Sequence, residues 1–332
     1  MKKLTIQEIE SFLRSFESDY DVRVPISLHD GTRALGKLDE GPLAIPGGRI
    51  PQKITNVFFP QMETVLTITS DDPDGIETQS PVSKPLLVVG FTAQDADCLE
   101  FIDRFYSENY RDDIYFNKRD NAVIVCVSGR CGAEGEFLKI AGSKCDLELI
   151  CDGHNYLLAA YTDIGKTLAA KAEGIESDDN LIQQLKKDSD ALPTDDLELI
   201  QKASKLLLEE KVPEEFWVTI SDRCIACTSC NLACPTCTCF DVFDRKVGDK
   251  VQRWRMWDSC QLDGFMREAS GHNPMGTENL RTRRRIHHKL ASDVTRWGQI
   301  TCMLCGRCDD VCPTGIGIKA VCKEMVDKYG SA

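Results

Sequence analysis

Behind Thr5, the apolar residues Ile6, Ile9, Phe12, Leu13 and Phe16 recur at helical spacing. Thr5 with Glu8 reads as a capping box, in which each side chain bonds the other's backbone amide, so a first helix is predicted here. Pro85-Leu-Leu-Val-Val-Gly90 is a short apolar run bounded by Pro and Gly, which predicts a buried strand. Leu99, Phe101, Ile102 and Phe105 give it a following helix. Asn121-Ala-Val-Ile-Val-Cys126, Asp146-Leu-Glu-Leu-Ile150 and Tyr156-Leu-Leu-Ala-Ala160 are further strand candidates. The last two flank the turn signal Asp152-Gly153-His154-Asn155, which predicts a hairpin. Residues 1–170 are therefore expected to form an α+β or α/β domain. No Gly-rich phosphate loop follows any of these strands, which leaves a nucleotide site there unsupported.

From residue 173 to 215 the chain carries thirteen acidic and five basic residues, with Pro193 and Pro213 as breaks. Leu197, Ile200, Leu206, Leu207 and Leu208 still mark a helical face. Residues 171–215 are expected to be an acidic helical connector, with tethering as its whole role. Residues 216–332 then form a separate C-terminal domain.

Composition narrows the class. A chain of 332 residues with 42% hydrophobic content supports two globular domains. A net charge of −13 argues against a general nucleic-acid binder. No apolar run approaches a membrane span, and the N-terminus lacks the uncharged apolar stretch of a signal peptide, so a cytoplasmic protein is expected. In a reducing compartment, closely spaced cysteines read as metal ligands rather than disulfides. Twelve of the seventeen cysteines fall after residue 220.

Two segments share one spacing: Cys224-x2-Cys227-x2-Cys230-x3-Cys234-Pro235 and Cys302-x2-Cys305-x2-Cys308-x3-Cys312-Pro313. Three thiolates spaced three apart wrap one corner of an iron–sulfur cube, while the fourth cysteine points at the other cube. The expected ligands are Cys224, Cys227, Cys230 and Cys312 for one [4Fe–4S] cluster, and Cys302, Cys305, Cys308 and Cys234 for the second. Two structural zinc sites are the competing reading, but zinc usually pairs two CxxC or Cys/His units. The 67 residues between Cys234 and Cys302 exceed what a compact bacterial ferredoxin needs. Leu262, Phe265, Met266 and the stretch 280–290 look helical, as in the α-helical ferredoxin module. Trp254, Trp257 and Trp297 are expected in its core.

Further thiols exceed what two clusters need. Cys237, Cys239 and Cys260 are either buried core cysteines or ligands of a third cluster, completed by a histidine such as His272, His287 or His288. Cys322 is expected in a helical core. Cys126, Cys131, Cys145 and Cys151 match no common [2Fe–2S] spacing, and a cluster there is a minor alternative to strand-core thiols, with Cys98 unassigned. Arg281-Thr-Arg283-Arg284-Arg285-Ile-His287-His288-Lys289 is a basic segment in an acidic chain. Its candidate roles are a solvated face, compensation of cluster charge, or partner docking.

These segments together carry a family resemblance. Cys234-Pro-Thr-Cys237-Thr-Cys239-Phe240, Trp257-Asp-Ser-Cys260 and the Arg-rich stretch ending His288-Lys289 carry most of it. Tyr20-Asp-Val-Arg-Val-Pro25, Phe58-Phe-Pro60 with Glu63, and Arg119-Asp120-Asn121-Ala122 extend it. The chain resembles the 4Fe–4S dicluster iron–sulfur subunits typified by the sulfhydrogenase β subunit and the anaerobic sulfite reductase A subunit. Similar subunits accompany flavin oxidoreductases coupled to heterodisulfide reductase. The resemblance implies a relay without catalytic residues of its own, passing electrons between a flavin- and NAD(P)H-binding (or ferredoxin) partner and a catalytic partner. That partner is a hydrogenase, a sulfite reductase or a heterodisulfide reductase. The alternative is a self-contained oxidoreductase whose N-terminal domain binds substrate or flavin.

Overall fold

The computed structural model describes residues 1–45, 49–69, 75–78 and 82–330. The chain forms two compact units, Met1–Phe58 with Pro81–Leu192, and Phe59–Ser80 with Pro193–Ala332.

The first unit is built on a mixed sheet. Its strands are β1 (Lys2–Leu4), β2 (Asp21–Ser27), β3 (Arg33–Gly36), β6 (Leu86–Phe91), β7 (Val123–Gly129), β8 (Leu147–Cys151), β9 (Tyr156–Ala160) and β10 (Ile175–Glu176). They lie in the order β10-β1-β9-β8-β7-β6-β2-β3. The four strands β2, β6, β7 and β8 run parallel, and the predicted β8–β9 hairpin is antiparallel. All seven residues of β7 are buried, as expected of a parallel strand covered on both faces. Alternation divides the core. Val123, Val125, Val127, Leu147 and Leu149 pack with Ile9, Phe12 and Leu13 of the first helix, Ile6–Arg14. Ile150, Leu157 and Ala159 face the other way, onto Leu185. The first helix has its capping box: Glu8 N donates to Thr5 Oγ1 at 3.3 Å, and Thr5 N to Glu8 Oε2 at 2.7 Å. Gly90 is required where it stands. Its φ is +104°, and a Cβ there would meet Pro25 Cγ of the neighbouring strand at 2.6 Å.

The second unit pairs helices with an antiparallel sheet of β4 (Met62–Thr69), β5 (Ile76–Thr78), β11 (Phe240–Val247) and β12 (Lys250–Trp257), in the order β11-β12-β4-β5. Its helical core gathers Ile200, Leu206, Leu207, Phe216 and Trp217 with Ile286, Leu290, Val321, Cys322 and Met325.

Three features differ from the sequence expectations. The helix Asp179–Asp190 belongs to the first unit, where Ile140 N donates to Ser189 Oγ at 3.0 Å, so the expected boundary at 170 does not coincide with that unit's end. The helices Asp195–Leu208 and Glu214–Ser221 are more than a tether, because their apolar faces supply part of the C-terminal core. The C-terminal unit is not all-helical: Trp254 and Trp257 lie on β12, whose outer partner β4 comes from far earlier in the chain.

Candidate metal centre

The two cysteine runs fold as the same loop. Ala226 and Leu304, the residues before the middle of each run, take φ 51° and 54°, and Thr228 and Gly306 take 63° and 76°. A side chain in this left-handed conformation costs about 1–2 kcal/mol, and three of the four positions carry one. The turns they make carry the chain into the short helices Ser229–Leu232 and Arg307–Asp310. Each run closes on Cys-Pro-Thr, and the threonine hydroxyl returns to the cysteine. Cys234 Sγ lies 3.4 Å from Thr236 Oγ1, and Cys312 Sγ lies 3.5 Å from Thr314 Oγ1. The repeated Cys-Pro-Thr triplet was the signal for these threonines, which sequence reasoning had not singled out.

The runs are crossed. Cys224, Cys227 and Cys230 line one cavity, and the fourth cysteine lining it is Cys312 of the other run. Cys234 acts instead on the other run, where its charge is felt at the Cys302 and Cys308 thiols. Burial pushes Cys302 up to about 12 and Cys308 well above the ordinary thiol value. Burial also raises Cys230, with the Arg285 guanidinium pulling the other way. Cys234 is held well below the ordinary value, first by the Cys237 thiol and, against burial, by the Lys289 ammonium and the Thr236 hydroxyl.

The basic segment divides by face. In the helix Glu278–His287, Arg281 and Arg285 are buried, and Lys289 continues their stripe in the π-helical turn His288–Ser292. Arg281 Nη1 donates to the Met275 carbonyl at 2.8 Å. Arg283 reaches Glu214 at 3.2 Å on the exposed side. Arg285 Nη2 donates to the Ile316 carbonyl at 2.6 Å, whereas its Nη1 is buried without a partner among the described residues. Arg285 lines the cavity that holds Cys224, Cys227, Cys230 and Cys312. An unpartnered cationic donor beside four thiols fits an anionic thiolate-bound group, which would supply the missing acceptor.

The surplus thiols form contacts in pairs. Cys237 meets Cys234, and Cys239 meets Cys260, which also receives Asn231 Nδ2 at 3.1 Å. The Cys239 thiol, against burial and with Asn231 next, holds Cys260 down at about 6. His288 pairs with Asp293 at 3.1 Å, His287 Nδ1 lies 3.1 Å from Ser292 Oγ, and His272 sits in an exposed loop. Among the described residues, no three His, Cys, Asp or Glu side chains close around a single metal-ion position. Cys322 is buried in the helical core, as expected.

In the first unit Cys126 contacts Cys145, and Cys131 contacts Cys151. Cys131 and Cys151 pack with Val125 and Val127, whereas Cys126 follows the opposite side of β7. The sheet separates the two pairs, so the four do not form one ligand set. Cys98 is a buried residue of the helix Ala93–Ser107.

Residues 223–316 match the family described as 4Fe-4S dicluster domain. Sulfhydrogenase 2 subunit beta of Pyrococcus furiosus is 27% identical over 257 residues, 72% of this chain and 73% of that protein. F420-dependent formate dehydrogenase subunit beta of Methanocaldococcus jannaschii is 27% identical over 133 residues, 39% of this chain and 27% of that protein. No solved structure matches the chain significantly. Among the described residues, no helix is long and apolar enough to cross a membrane. Residues 223–316 are a 4Fe–4S dicluster domain carrying two [4Fe–4S] clusters, and the chain around it resembles the iron–sulfur electron-transfer subunits of multi-subunit oxidoreductases.

Proposed function

We propose that this chain relays electrons within a multi-subunit oxidoreductase, between a flavin- and NAD(P)H-binding (or ferredoxin) partner and a catalytic partner of hydrogenase, sulfite reductase or heterodisulfide reductase type. The ligands are Cys224, Cys227, Cys230 and Cys312 for one cluster, and Cys302, Cys305, Cys308 and Cys234 for the other. The observation that carries this reading is Cys312 lining the cavity of the first run. Bound clusters supply one-electron storage and transfer. The protein's own residues orient the thiols through the left-handed turns and present cations to them. Crossed ligation also ties the two loops into one body, which keeps the distance between the two sites fixed. Anaerobic purification from the native host should bring down a flavoprotein and a catalytic subunit with this chain. A chain isolated alone that turns over a substrate would contradict the relay.

Two other readings have an observation each. A third cluster on Cys237, Cys239 and Cys260 is favoured by the Cys239–Cys260 contact beside the Lys289 ammonium. A self-contained enzyme is favoured by a cavity of about 780 Å³ in the first unit, lined by Phe116, Arg119, Asn121, Lys144, Asp146 and Thr162 among others. That volume suits a small molecule. Flavin or substrate retained by the isolated chain would select the second of these readings.

A further inference from the structure

The basic segment lies between the two runs in sequence, and its buried face reaches both thiol sets: Arg285 lines the cavity of Cys224, Cys227, Cys230 and Cys312, and Lys289 bonds Thr236, whose hydroxyl lies 3.4 Å from Cys234 Sγ. Arg285 and Lys289 are one helical turn apart and only 4% and 2% exposed. A buried cation is costly unless negative charge faces it, by several kcal/mol per ion. Among the described residues, the hydrogen bonds of both cations run to a carbonyl and a hydroxyl rather than to a carboxylate. Arg285 has the Ile316 carbonyl and the buried free Nη1, and Lys289 Nζ donates to Thr236 Oγ1 at 2.7 Å.

What faces Arg285 is sulfur, and what faces Lys289 is sulfur together with the Asp293 carboxylate. Burial pulls the Arg285 guanidinium down, yet Cys230, Cys308, Cys312 and Cys224 hold it above its ordinary value. Three of those four belong to the first ligand set. Burial likewise pulls Lys289 down, and Cys234, Cys237 and Cys302, with Asp293, hold it well above. Cys234 and Cys302 belong to the second set.

The π-helical turn serves the same placement. Opening the helix at His288–Ser292 leaves the Lys289 carbonyl to accept from Thr301 N at 3.0 Å, one residue before Cys302. Thr236 Oγ1, which accepts the Lys289 hydrogen bond, donates in turn to the Thr301 carbonyl at 2.9 Å. Lys289 is thereby fixed to the end of the first run and the start of the second. Such π turns are frequent at functional sites.

We propose that Arg285 and Lys289 separately set the potentials of the two clusters, Arg285 chiefly at the Cys224–Cys227–Cys230–Cys312 site and Lys289 chiefly at the Cys302–Cys305–Cys308–Cys234 site. A nearby cation favours the more negative, reduced state and so raises the potential. Two cations on two sites let the relay hold a potential step that sequence changes at either position adjust independently. Arg283 and Arg284, off the buried stripe, take no part. The inference rests on the ligand sets proposed above.

The test is an anaerobic redox titration of the full chain followed by EPR, with iron and sulfide measured on each sample. Arg285→Gln should lower one midpoint by a factor of about ten in the oxidised-to-reduced ratio, about 59 mV for one electron, and leave the other in place. Lys289→Gln should do the same to the other cluster, and Arg284→Gln should move neither. If a neutral variant loses iron, Arg285→Lys and Lys289→Arg carry the test, since charge is kept and both midpoints should stay. Full iron with unmoved midpoints in the neutral variants, or a fall in the charge-keeping ones, overturns the inference alone. A wild-type chain without acid-labile sulfide would sink the ligand reading beneath it.

Discussion

Lys289 Nζ donates a hydrogen bond to Thr236 Oγ1 at 2.7 Å, and that hydroxyl donates in turn to the Thr301 carbonyl at 2.9 Å. Thr236→Val keeps the side chain's shape but removes both bonds and leaves a buried ammonium short of an acceptor. The expected loss is about 1–3 kcal/mol. Chemical denaturation of the anaerobic protein measures it, and an unchanged midpoint would show that Lys289 finds its acceptor elsewhere.

Glu63 and Arg255 face each other in register across β4 and β12, with Oε1 and Nη2 at 2.6 Å and both side chains about 5% exposed or less. Arg255 also lies over the Phe59 ring at 4.9 Å. Glu63→Ala should destabilise the second unit by about 3–5 kcal/mol, because it strips a buried guanidinium of its carboxylate. The double change Glu63→Leu, Arg255→Met should cost less than the single one. A double variant that is worse than Glu63→Ala would mean that the pair is a net source of stability.

The third-cluster reading has its own arithmetic. Two cubes hold about eight irons and three hold about twelve. Cys260→Ala should leave a two-cluster protein with its iron unchanged, and should lower a three-cluster protein by about four. Reduced-state EPR of the same samples shows whether a signal disappears with the iron.

Acid should loosen the β8–β9 turn. Burial pulls the Asp152 carboxyl up, but the Asn155 amide, the Lys3 ammonium and the His154 amide hold it below its ordinary value. A depressed folded-state value means stability present above the unfolded value, about 3.9, and lost as pH falls through the folded one. Protection factors of the amides around Tyr156, each referenced to the intrinsic exchange rate at its own pH, should therefore fall from about pH 5 to about pH 3 in the wild type. In Asp152→Asn the fall should be smaller, and an equal fall in both would exclude the carboxyl as its cause.

The parts legible in the sequence were those fixed by local chemistry. The Thr5–Glu8 cap, the apolar runs that became β6 to β9, and the doubled cysteine spacing each declare themselves within a few residues. The hairpin β11–β12 did not, because β11 is exposed along nearly its whole length and lacks an inside–outside alternation. Its sheet depends on β4, whose Glu63 lies 192 residues before its partner Arg255, a separation no window of local periodicity contains. The buried sorting of the Arg-rich stretch was also hidden. Composition presents one basic run, whereas the helix turns Arg285 and Lys289 inward and Arg283 outward.

The central claim is the crossed ligation of two clusters, and single-cysteine variants test it most directly. EPR-monitored redox titration of anaerobic Cys227→Ala, Cys312→Ala, Cys305→Ala and Cys234→Ala chains should sort them into two pairs. Cys227→Ala and Cys312→Ala are expected to lose or alter the same cluster signal, with Cys305→Ala and Cys234→Ala affecting the other, each loss amounting to about four irons. If Cys312→Ala instead matches Cys305→Ala, each run closes on its own cluster and the account is wrong.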